Sequence, residues 1–446
     1  MRRKKIGIVL TVAISCMLSL AGCSKKTKGQ DDAGKPGAEG QNVTFEAEDF
    51  IPGSDTYRAT DTGHYYYSTK QQAIRYVDFT TGKDMYLCNK PECRHDGNAF
   101  CVATNGNYVP KSFCVYGGML FATMVEETDT QYLYKLLSIG LDGSEMNEVV
   151  TYYTAEKNGI SLAMKGIDTP LYIHRNKVWL PLGISVQDGG EDVAYYGTAI
   201  YDLNTKELCH LDAELLSKEN VETTSVTPYG DYFYYCKKEG KKTVLHRYNI
   251  TNGADETFPL LANFKGEYVV LGDRIFYARG QGKVLCIHHI ATGENEERAL
   301  TRKNMVLLPD GTSKEDETTY TITELRTDGT YLYIPEVTRE YFYTWEEGEV
   351  TQWQESYLNV FDTNGDLICA VDMLEQMEGS QPEGVEQPVF AEPTKLCFLG
   401  EEIYCRMQTE DRTGYMLRCK RSDLLAGKPE FIFVYKDESA AYFGTR

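Results

Sequence analysis

Positive charge is scarce in this chain of 446 residues, which carries 46 Lys and Arg residues against 66 Asp and Glu residues. Nucleic-acid binding, and adhesion of a folded face to anionic lipid, both need clustered basic side chains. The surplus of acids therefore argues against nucleic acid as a partner. It fits a surface that keeps the protein soluble, or an acidic mouth that collects cations, amines or a basic peptide.

Common catalytic motifs are missing as well. The sequence contains no His-Glu-x-x-His, no Gly-x-Ser-x-Gly and no glycine-rich phosphate loop. The segment Asp362–Asp366 lacks the length and the closing Glu of an EF-hand, so it is predicted to be a turn. No convincing helical stretch lies between the strand-like runs. Motifs thus identify no reaction, and whether the protein is an enzyme stays open.

The N-terminus has the layout of an export signal. Arg2-Arg3-Lys4-Lys5 is followed by an apolar run over residues 6–20 and then by Leu20-Ala21-Gly22-Cys23. This order is typical of a secretory signal rather than a spanning helix. The last four residues resemble the lipobox of bacterial lipoproteins, which implies cleavage before Cys23 and a diacylglycerol anchor on its thiol. We therefore predict a signal peptide over residues 1–22 and a location at the cell membrane, facing outside.

A polar spacer comes next. Residues 24–41 include one Pro and no aromatic residue, which predicts a flexible linker over residues 23–42 and a folded domain over residues 43–446. Without residues 1–22 the chain keeps 42 basic residues against 66 acidic ones, a formal charge of −24. Such a charge favours solubility and repulsion from an anionic envelope.

Short apolar runs rich in Tyr, Val, Ile and Phe fill the rest of the chain, separated by Gly, Asn and Asp. The clearest copy is Tyr268–Leu300, and further copies begin near residues 61, 116, 175, 229, 327 and 399. This pattern predicts an all-β fold, a single β-propeller of seven four-stranded blades, because radial packing buries both faces of every blade. A pair of β-sandwiches is the alternative. Val43–Phe50 is predicted to add a strand to the C-terminal blade.

Five insertions interrupt the repeat, and long loops on a repeat scaffold usually collect on the binding face. They are Cys88–Asn107, Leu182–Tyr196, Pro309–Thr319, Val337–Ser356 and Leu374–Pro393.

Aromatic residues beside carboxylates mark the fourth insertion as a candidate ligand-binding rim. Tyr341, Tyr343, Trp345 and Trp353 lie there with several Glu residues. Such rings could stack on a sugar or hold a cation. A buried hairpin is the alternative interpretation.

The first insertion concentrates thiols. Cys88, Cys93, His95 and Cys101 fall within fourteen residues. They could form a tetrahedral Cys3His zinc site. A disulfide among the three cysteines, with Cys114 as a further partner, would instead staple the loop. Because the spacing is not that of a standard zinc finger or ribbon, the sequence favours the disulfide over structural zinc, and catalytic zinc least.

The lipobox, the polar spacer, the segment Cys88–His95 and repeats such as Gly272–Tyr277 together resemble lipoproteins of Gram-positive gut anaerobes. Those proteins carry a β-propeller domain of unknown function that is similar to TolB-type and low-density-lipoprotein-receptor-type propellers. The resemblance implies a propeller and a surface location, and it offers no catalytic residues to carry over.

Three functions fit these observations. The leading hypothesis is a membrane-anchored extracytoplasmic module that binds a ligand or an envelope protein. The second is a propeller-fold glycoside hydrolase or lyase acting on envelope or dietary polysaccharide. The third is a structural or assembly factor at the cell surface.

Overall fold

The computed structural model describes residues 58–437 with internal gaps. The signal peptide, Cys23, the linker and Val43–Phe50 therefore lie outside the described residues, and predictions about them stay predictions. The gaps fall at residues 69–70, 98–100, 105–106, 158–161, 164–170, 189–190, 262–263, 280–283, 300, 308–312, 320–321, 323, 344–349, 374–375, 377–389 and 410–413.

Strands dominate the described chain. In order they are β1 (Gly63–Ser68), β2 (Ala73–Asp78), β3 (Asp84–Tyr86), β4 (Asn107–Tyr116), β5 (Met119–Glu127), β6 (Gln131–Gly140), β7 (Met146–Glu156), β8 (Leu162–Ala163), β9 (Tyr172–His174), β10 (Lys177–Asp188), β11 (Glu191–Asp202), β12 (Leu208–His210), β13 (Thr223–Tyr229), β14 (Tyr232–Glu239), β15 (Lys242–Asn249), β16 (Asp255–Phe258), β17 (Tyr268–Leu271), β18 (Arg274–Arg279), β19 (Val284–His289), β20 (Asn295–Ala299), β21 (Thr301–Leu307), β22 (Ser313–Thr319), β23 (Arg326–Thr327), β24 (Leu332–Tyr343), β25 (Val350–Phe361), β26 (Leu367–Asp372), β27 (Phe390–Leu399), β28 (Glu402–Thr409), β29 (Gly414–Lys420) and β30 (Ile432–Asp437). A short helix, α1 (Arg421–Leu425), precedes β30, and no helix in the described ranges is long and apolar enough to cross a membrane.

These strands form seven antiparallel blades. Blade 1 contains β1 to β3, blade 2 β4 to β7, blade 4 β13 to β16, blade 5 β17 to β20, blade 6 β23 to β26 and blade 7 β27 to β30. Blade 3 has the order β12-β11-β10-β8, and β9 also pairs with β10. In blade 1 the position beside β1 is taken by Ala59, which forms a bridge with His64. The hairpin β21–β22 stands apart, between blades 5 and 6.

Inner strands of neighbouring blades lie side by side around the ring: β4 contacts β9, β9 contacts β13, β13 contacts β17 and β17 contacts β23. The predicted all-β propeller of seven four-stranded blades is confirmed.

Packed side chains fill all seven junctions between neighbouring blades. One cluster joins blades 2, 3 and 4 around the fully buried Trp179. Four others join blades 4 and 5, 5 and 6, 6 and 7, and 1 and 2. The last joins blade 7 to blade 1 and includes Val77, Met416 and Tyr435. Since apolar burial is the main favourable term in folding, every blade is stabilised from both sides and the ring is closed.

The Asp and Asn residues of the repeats lie in the turn that follows the third strand of a blade. In blade 1, where Ala59 takes the first position, this is the turn after β2. The Oδ1 atom of Asp78 accepts hydrogen bonds from the backbone N–H groups two and three residues further on, both at 2.8 Å. Asp202 and Asn249 make the equivalent bonds in blades 3 and 4. In blade 6 the Oδ1 atom of Asp362 accepts from the backbone N–H groups of Asn364 and Asp366, two and four residues further on. Such side-chain caps stabilise a turn locally. The segment Asp362–Asp366 is therefore a turn, as the sequence predicts.

The turn between the first and second strands of a blade is shorter than the turn after the third strand. In blade 3 it joins β9 to β10 and consists of Arg175 and Asn176, whose φ angles are 47° and 62°. Two consecutive residues with positive φ are typical of the type I′ turn, which usually uses Gly or Asn. The neighbouring blade fixes this one, because the backbone N–H of Asn176 donates to the Tyr116 hydroxyl oxygen at 2.9 Å and that hydroxyl lies 3.1 Å from Asn176 Oδ1.

Candidate metal centre and insertion face

Strand direction places the predicted insertions at one end of the blades. The chain reverses at every turn, so the turn between the second and third strands and the connection to the next blade lie at the same end. The five insertions all belong to these two kinds of segment, and we call this end the insertion face. Three are connections, from blade 1 to 2, from blade 5 to 6 and from blade 6 to 7; two are hairpins, in blades 3 and 6.

Both insertion hairpins are continuous strand pairs rather than loops. In blade 3, β10 and β11 pair from Lys177↔Asp202 to Asp188↔Glu191. In blade 6, β24 and β25 pair from Leu332↔Phe361 to Tyr343↔Val350. Strands of twelve residues are long for a blade. The scaffold therefore projects two hairpins from the same face.

The aromatic rim falls on the blade 6 hairpin. The backbones of Tyr341 and Tyr343 belong to β24 and that of Trp353 to β25, whereas Trp345 and all four side chains lie outside the described part. The backbones of the strand residues form a hairpin. Whether this hairpin is buried, as the alternative interpretation holds, and whether its aromatic residues bind a ligand stay predictions.

A buried polar pair at the base of this hairpin is not predicted from the sequence. Glu336 is only 2% exposed, and Asn359 Nδ2 donates to its Oε2 at 3.1 Å. The alternation of apolar and polar residues along a strand does not predict a buried carboxylate, because a Glu between apolar neighbours is expected to face solvent.

The first insertion brings four candidate ligands together. The sulfurs of Cys88, Cys93 and Cys101 and a ring nitrogen of His95 all lie within 4.8 Å of one another. His95 Nδ1 and Cys101 Sγ are 3.4 Å apart. Cys101 is fully buried, and the other three are partly exposed.

Backbone hydrogen bonds attach both ends of this insertion to strand β2. The N–H of Leu87, just before Cys88, donates to the carbonyl oxygen of Ile74 at 3.0 Å. The N–H of Ile74 in turn donates to the carbonyl oxygen of Ala103, just after Cys101, at 2.9 Å. The cluster therefore lies at the junction of blades 1 and 2. The residues that flank its first and last cysteines are both bonded to Ile74.

His95 is held in an unusual conformation. Its φ is 54°, in the left-handed region that few residues other than Gly adopt. The imidazole stacks on Tyr86, with ring centroids 4.3 Å apart and planes at 14°. The guanidinium of Arg75 lies 4.4 Å from the same tyrosine centroid and is fixed by an ion pair with Asp84 at 2.8 Å. Stacking thus orients the imidazole toward the cysteines.

The surroundings favour thiolate at one position of the cluster. Burial raises the pKa of Cys101, but hydrogen bonds from Thr104, His95 and Cys93 outweigh it and bring the pKa down to about 6. Burial raises the pKa of Cys88, and the backbone N–H of Lys90 partly opposes this. A low thiol pKa is typical of sulfurs that receive hydrogen bonds or bind metals.

Cys114 does not join this group. It is fully buried in the cluster that joins blades 2, 3 and 4, and its sulfur contacts the carbonyl oxygen of Val115 at 3.6 Å. Burial raises its pKa to about 12. No disulfide bond joins any of the eleven cysteines in the described ranges. A disulfide among Cys88, Cys93 and Cys101 stays a prediction.

No family model and no curated protein matches the chain. Solved structures resemble it in fold: TolB from Acinetobacter baumannii has 10% identity and a TM-score of 0.31, over 68% of this chain and 61% of TolB. A puromycin-hydrolysing peptidase from Mycobacterium tuberculosis has 12% identity and a TM-score of 0.43, over 89% of this chain and 56% of the peptidase. The propeller domain of the trilobed protease from Pyrococcus furiosus has 10% identity and a TM-score of 0.37, over 76% and 100%.

This chain therefore spans less than two thirds of TolB and of the peptidase. At these levels of similarity no activity transfers to it.

Proposed function

We propose that this protein is a lipid-anchored, extracytoplasmic binding module whose insertion face captures a protein or another ligand of the cell envelope. The observation that supports this function is that all five insertions are attached to the blades at one end of a closed ring. A rigid scaffold that carries its variable segments on one face is the usual arrangement of a binding protein.

The lipid anchor rests on the lipobox at Cys23 and is tested separately from binding. Cells that express the full chain are fed an alkyne-labelled fatty acid, and the purified protein is examined for label. Wild type and Cys209→Ser are expected to be labelled, and Cys23→Ala is not. Cys209 is an exposed thiol of the folded domain, so it controls for nonspecific acylation. Equal labelling of all three variants contradicts the anchor.

Binding is tested by trimming the two hairpins. One variant replaces residues 185–194 by Asn-Gly and leaves Ile184 opposite Tyr195. A second replaces residues 338–355 by Asn-Gly and leaves Val337 opposite Ser356. Asn-Gly forms the type I′ turn that a two-residue hairpin needs, so the remaining pairs of each hairpin are expected to keep their register. The first variant also removes Ser185 and Val186, the two residues of β10 that pair with β8.

Wild type and both trimmed variants are cross-linked on intact cells, and the attached molecules are identified by mass spectrometry. A control variant, Thr292→Ala with Glu294→Ala, alters an exposed turn at the opposite end of the blades. We expect partners that are shared by wild type and control and lost from at least one trimmed variant. The same partners in all variants, together with turnover of envelope polysaccharide by the purified protein, would favour an enzyme instead.

A further inference from the structure

We infer that Cys88, Cys93, His95 and Cys101 bind one structural Zn²⁺ ion that fastens the first insertion to the junction of blades 1 and 2. This inference is independent of what the insertion face binds. It rests on the convergence of three sulfurs and one imidazole nitrogen within 4.8 Å of one another.

The distances between the four ligand atoms suit tetrahedral coordination of one metal ion. With Zn–S bonds of about 2.3 Å and Zn–N bonds of about 2.0 Å, the ligand atoms of a tetrahedral site lie about 3.5–3.8 Å apart. The separation of His95 Nδ1 and Cys101 Sγ, 3.4 Å, is already close to that range. The remaining separations need to shrink by no more than about 1.3 Å from their 4.8 Å limit. Small side-chain rotations therefore complete the site.

The donor set indicates both the metal and its role. Three thiolates and one imidazole form the soft, tetrahedral environment that selects zinc among the common divalent cations. Four protein ligands also fill the coordination sphere and leave no position for water or substrate. The site is therefore structural rather than catalytic.

A disulfide explains less of the geometry. It would join two of the three sulfurs and leave the third sulfur and the imidazole of His95 without a role. His95 also adopts a left-handed backbone conformation, which a residue other than Gly keeps only where the surroundings impose it. A metal ion uses all four side chains and accounts for the position of His95.

Neighbouring groups support the ligands. The backbone N–H of Cys93 donates to the carbonyl oxygen of Lys90 at 3.1 Å, and the backbone N–H of Thr104 donates to the carbonyl oxygen of Cys101 at 3.2 Å. These turns fix the backbone at two of the ligands. Tyr86 orients the imidazole from its face. Loop, strand and turn residues thus contribute to one prearranged site.

The experiment measures metal and thiols on the full chain, purified in mild detergent without reductant and without added metal. Elemental analysis is expected to give about one zinc ion per chain. Replacing the zinc by Co²⁺ is expected to give the visible bands of a tetrahedral thiolate site. Cys93→Ser and His95→Ala should each reduce the zinc content to below about a tenth, whereas His95→Cys, which supplies a fourth sulfur, should retain it.

Two matched variants control for the loss of a cysteine elsewhere. Cys209→Ser removes an exposed thiol and Cys114→Ser a buried one, and both should keep about one zinc ion. Circular dichroism confirms that each variant keeps the β-sheet signal.

Thiol titration after unfolding separates the alternatives. If zinc is bound, adding a chelator to the unfolded chain makes every cysteine except the acylated Cys23 available to the thiol reagent. A disulfide would leave two cysteines unreactive until reductant is added. Two such cysteines in a protein that contains no zinc would overturn the inference. It is also overturned by free thiols without metal, or by zinc that survives both Cys93→Ser and His95→Ala.

Discussion

The ring of Phe79 in the first blade stacks on the ring of Tyr404 in the last blade, with centroids 4.5 Å apart and planes at 22°. Tyr435 adds a second stacked contact to Phe79 at 6.4 Å. The two ends of the propeller thus meet through aromatic side chains. Blade 7 takes all four of its described strands, β27 to β30, from the C-terminal part of the chain.

The Phe79–Tyr404 contact is therefore expected to stabilise ring closure. Phe79→Ala should lower the free energy of unfolding by about 2 kcal/mol and Tyr404→Ala by about 3 kcal/mol, because both lose apolar burial at the junction. Urea unfolding of the double mutant should show a coupling of about 0.5–1.5 kcal/mol. Met85→Ala, at an exposed position on β3, is the control and should change stability by less than about 0.5 kcal/mol. Strict additivity would show that the stacking contributes nothing of its own.

Gly197 tests a close approach of two backbone segments in blade 3. A Cβ atom added there would overlap the carbonyl oxygen of Leu215. Gly197→Ala is therefore expected to cost about 3 kcal/mol, since the backbone must move. Gly272→Ala is the matched control: its φ is +62°, but nothing lies within 4 Å of the added atom, so about 1 kcal/mol of strain is expected. Thermal melts compare the two, and equal losses would disprove the steric argument.

His288 should make stability depend on pH. Burial lowers the pKa of this imidazole, assisted by the nearby His289 and opposed by the hydrogen bond with Asn295. The unfolded chain takes up a proton at this residue near pH 6.5, whereas the folded protein resists it until lower pH, so stability falls as the pH drops below about 6.5. Above about pH 6.5 the imidazole is neutral in both states, and its contribution to the free energy of unfolding is fully present.

Asn295→Asp provides the matched variant for this prediction. Its carboxylate would lie beside His288 Nδ1, which is 3.1 Å from Asn295 Oδ1, and would raise the pKa of the imidazole. The loss of stability between about pH 7.5 and about pH 5 should then be smaller than in wild type. Urea midpoints measured across this range decide the matter, and a steeper acid loss in the variant would refute the assignment.

Tyr86 should tune the metal centre without being a ligand. Its ring fixes the imidazole of His95 by stacking. Tyr86→Leu is therefore expected to weaken zinc binding about tenfold, because the imidazole would no longer be held in the orientation that binds the metal. Competition with a chromophoric chelator measures the affinity. Met85→Leu, a conservative change at its exposed neighbour, should leave the affinity unchanged. Similar affinities for wild type and Tyr86→Leu would show that the stacked ring does not orient His95.

Much of the architecture is predictable because its determinants are local. Alternating apolar residues define the strands, and residues such as Asp78 and Asn249 hold the turns through bonds to their own neighbours. The long pairing of β24 with β25 is different. It depends on backbone hydrogen bonds that polar and acidic sequences also form, so the segment 337–356 resembles a loop in the sequence.

The cysteine cluster is predictable in composition but not in arrangement. Spacing along the chain favours a disulfide over a metal, because it is not that of a standard zinc finger or ribbon. Convergence depends on contacts distant in sequence, including the anchoring of both ends at Ile74 and the stacking of His95 on Tyr86. Such tertiary contacts also place Cys114 in another core, although it follows Cys101 by only thirteen positions.

Because the insertions enter and leave at one end of the blades, their outermost residues can change without altering the strand pairs nearer the ring. Insertion residues closer to the blades, such as Leu182 and Val102, belong to the junction cores and must be kept. A library that randomises the two hairpin tips would explore new specificities on an unchanged framework, and the short turns at the opposite end offer sites for labels or surface attachment.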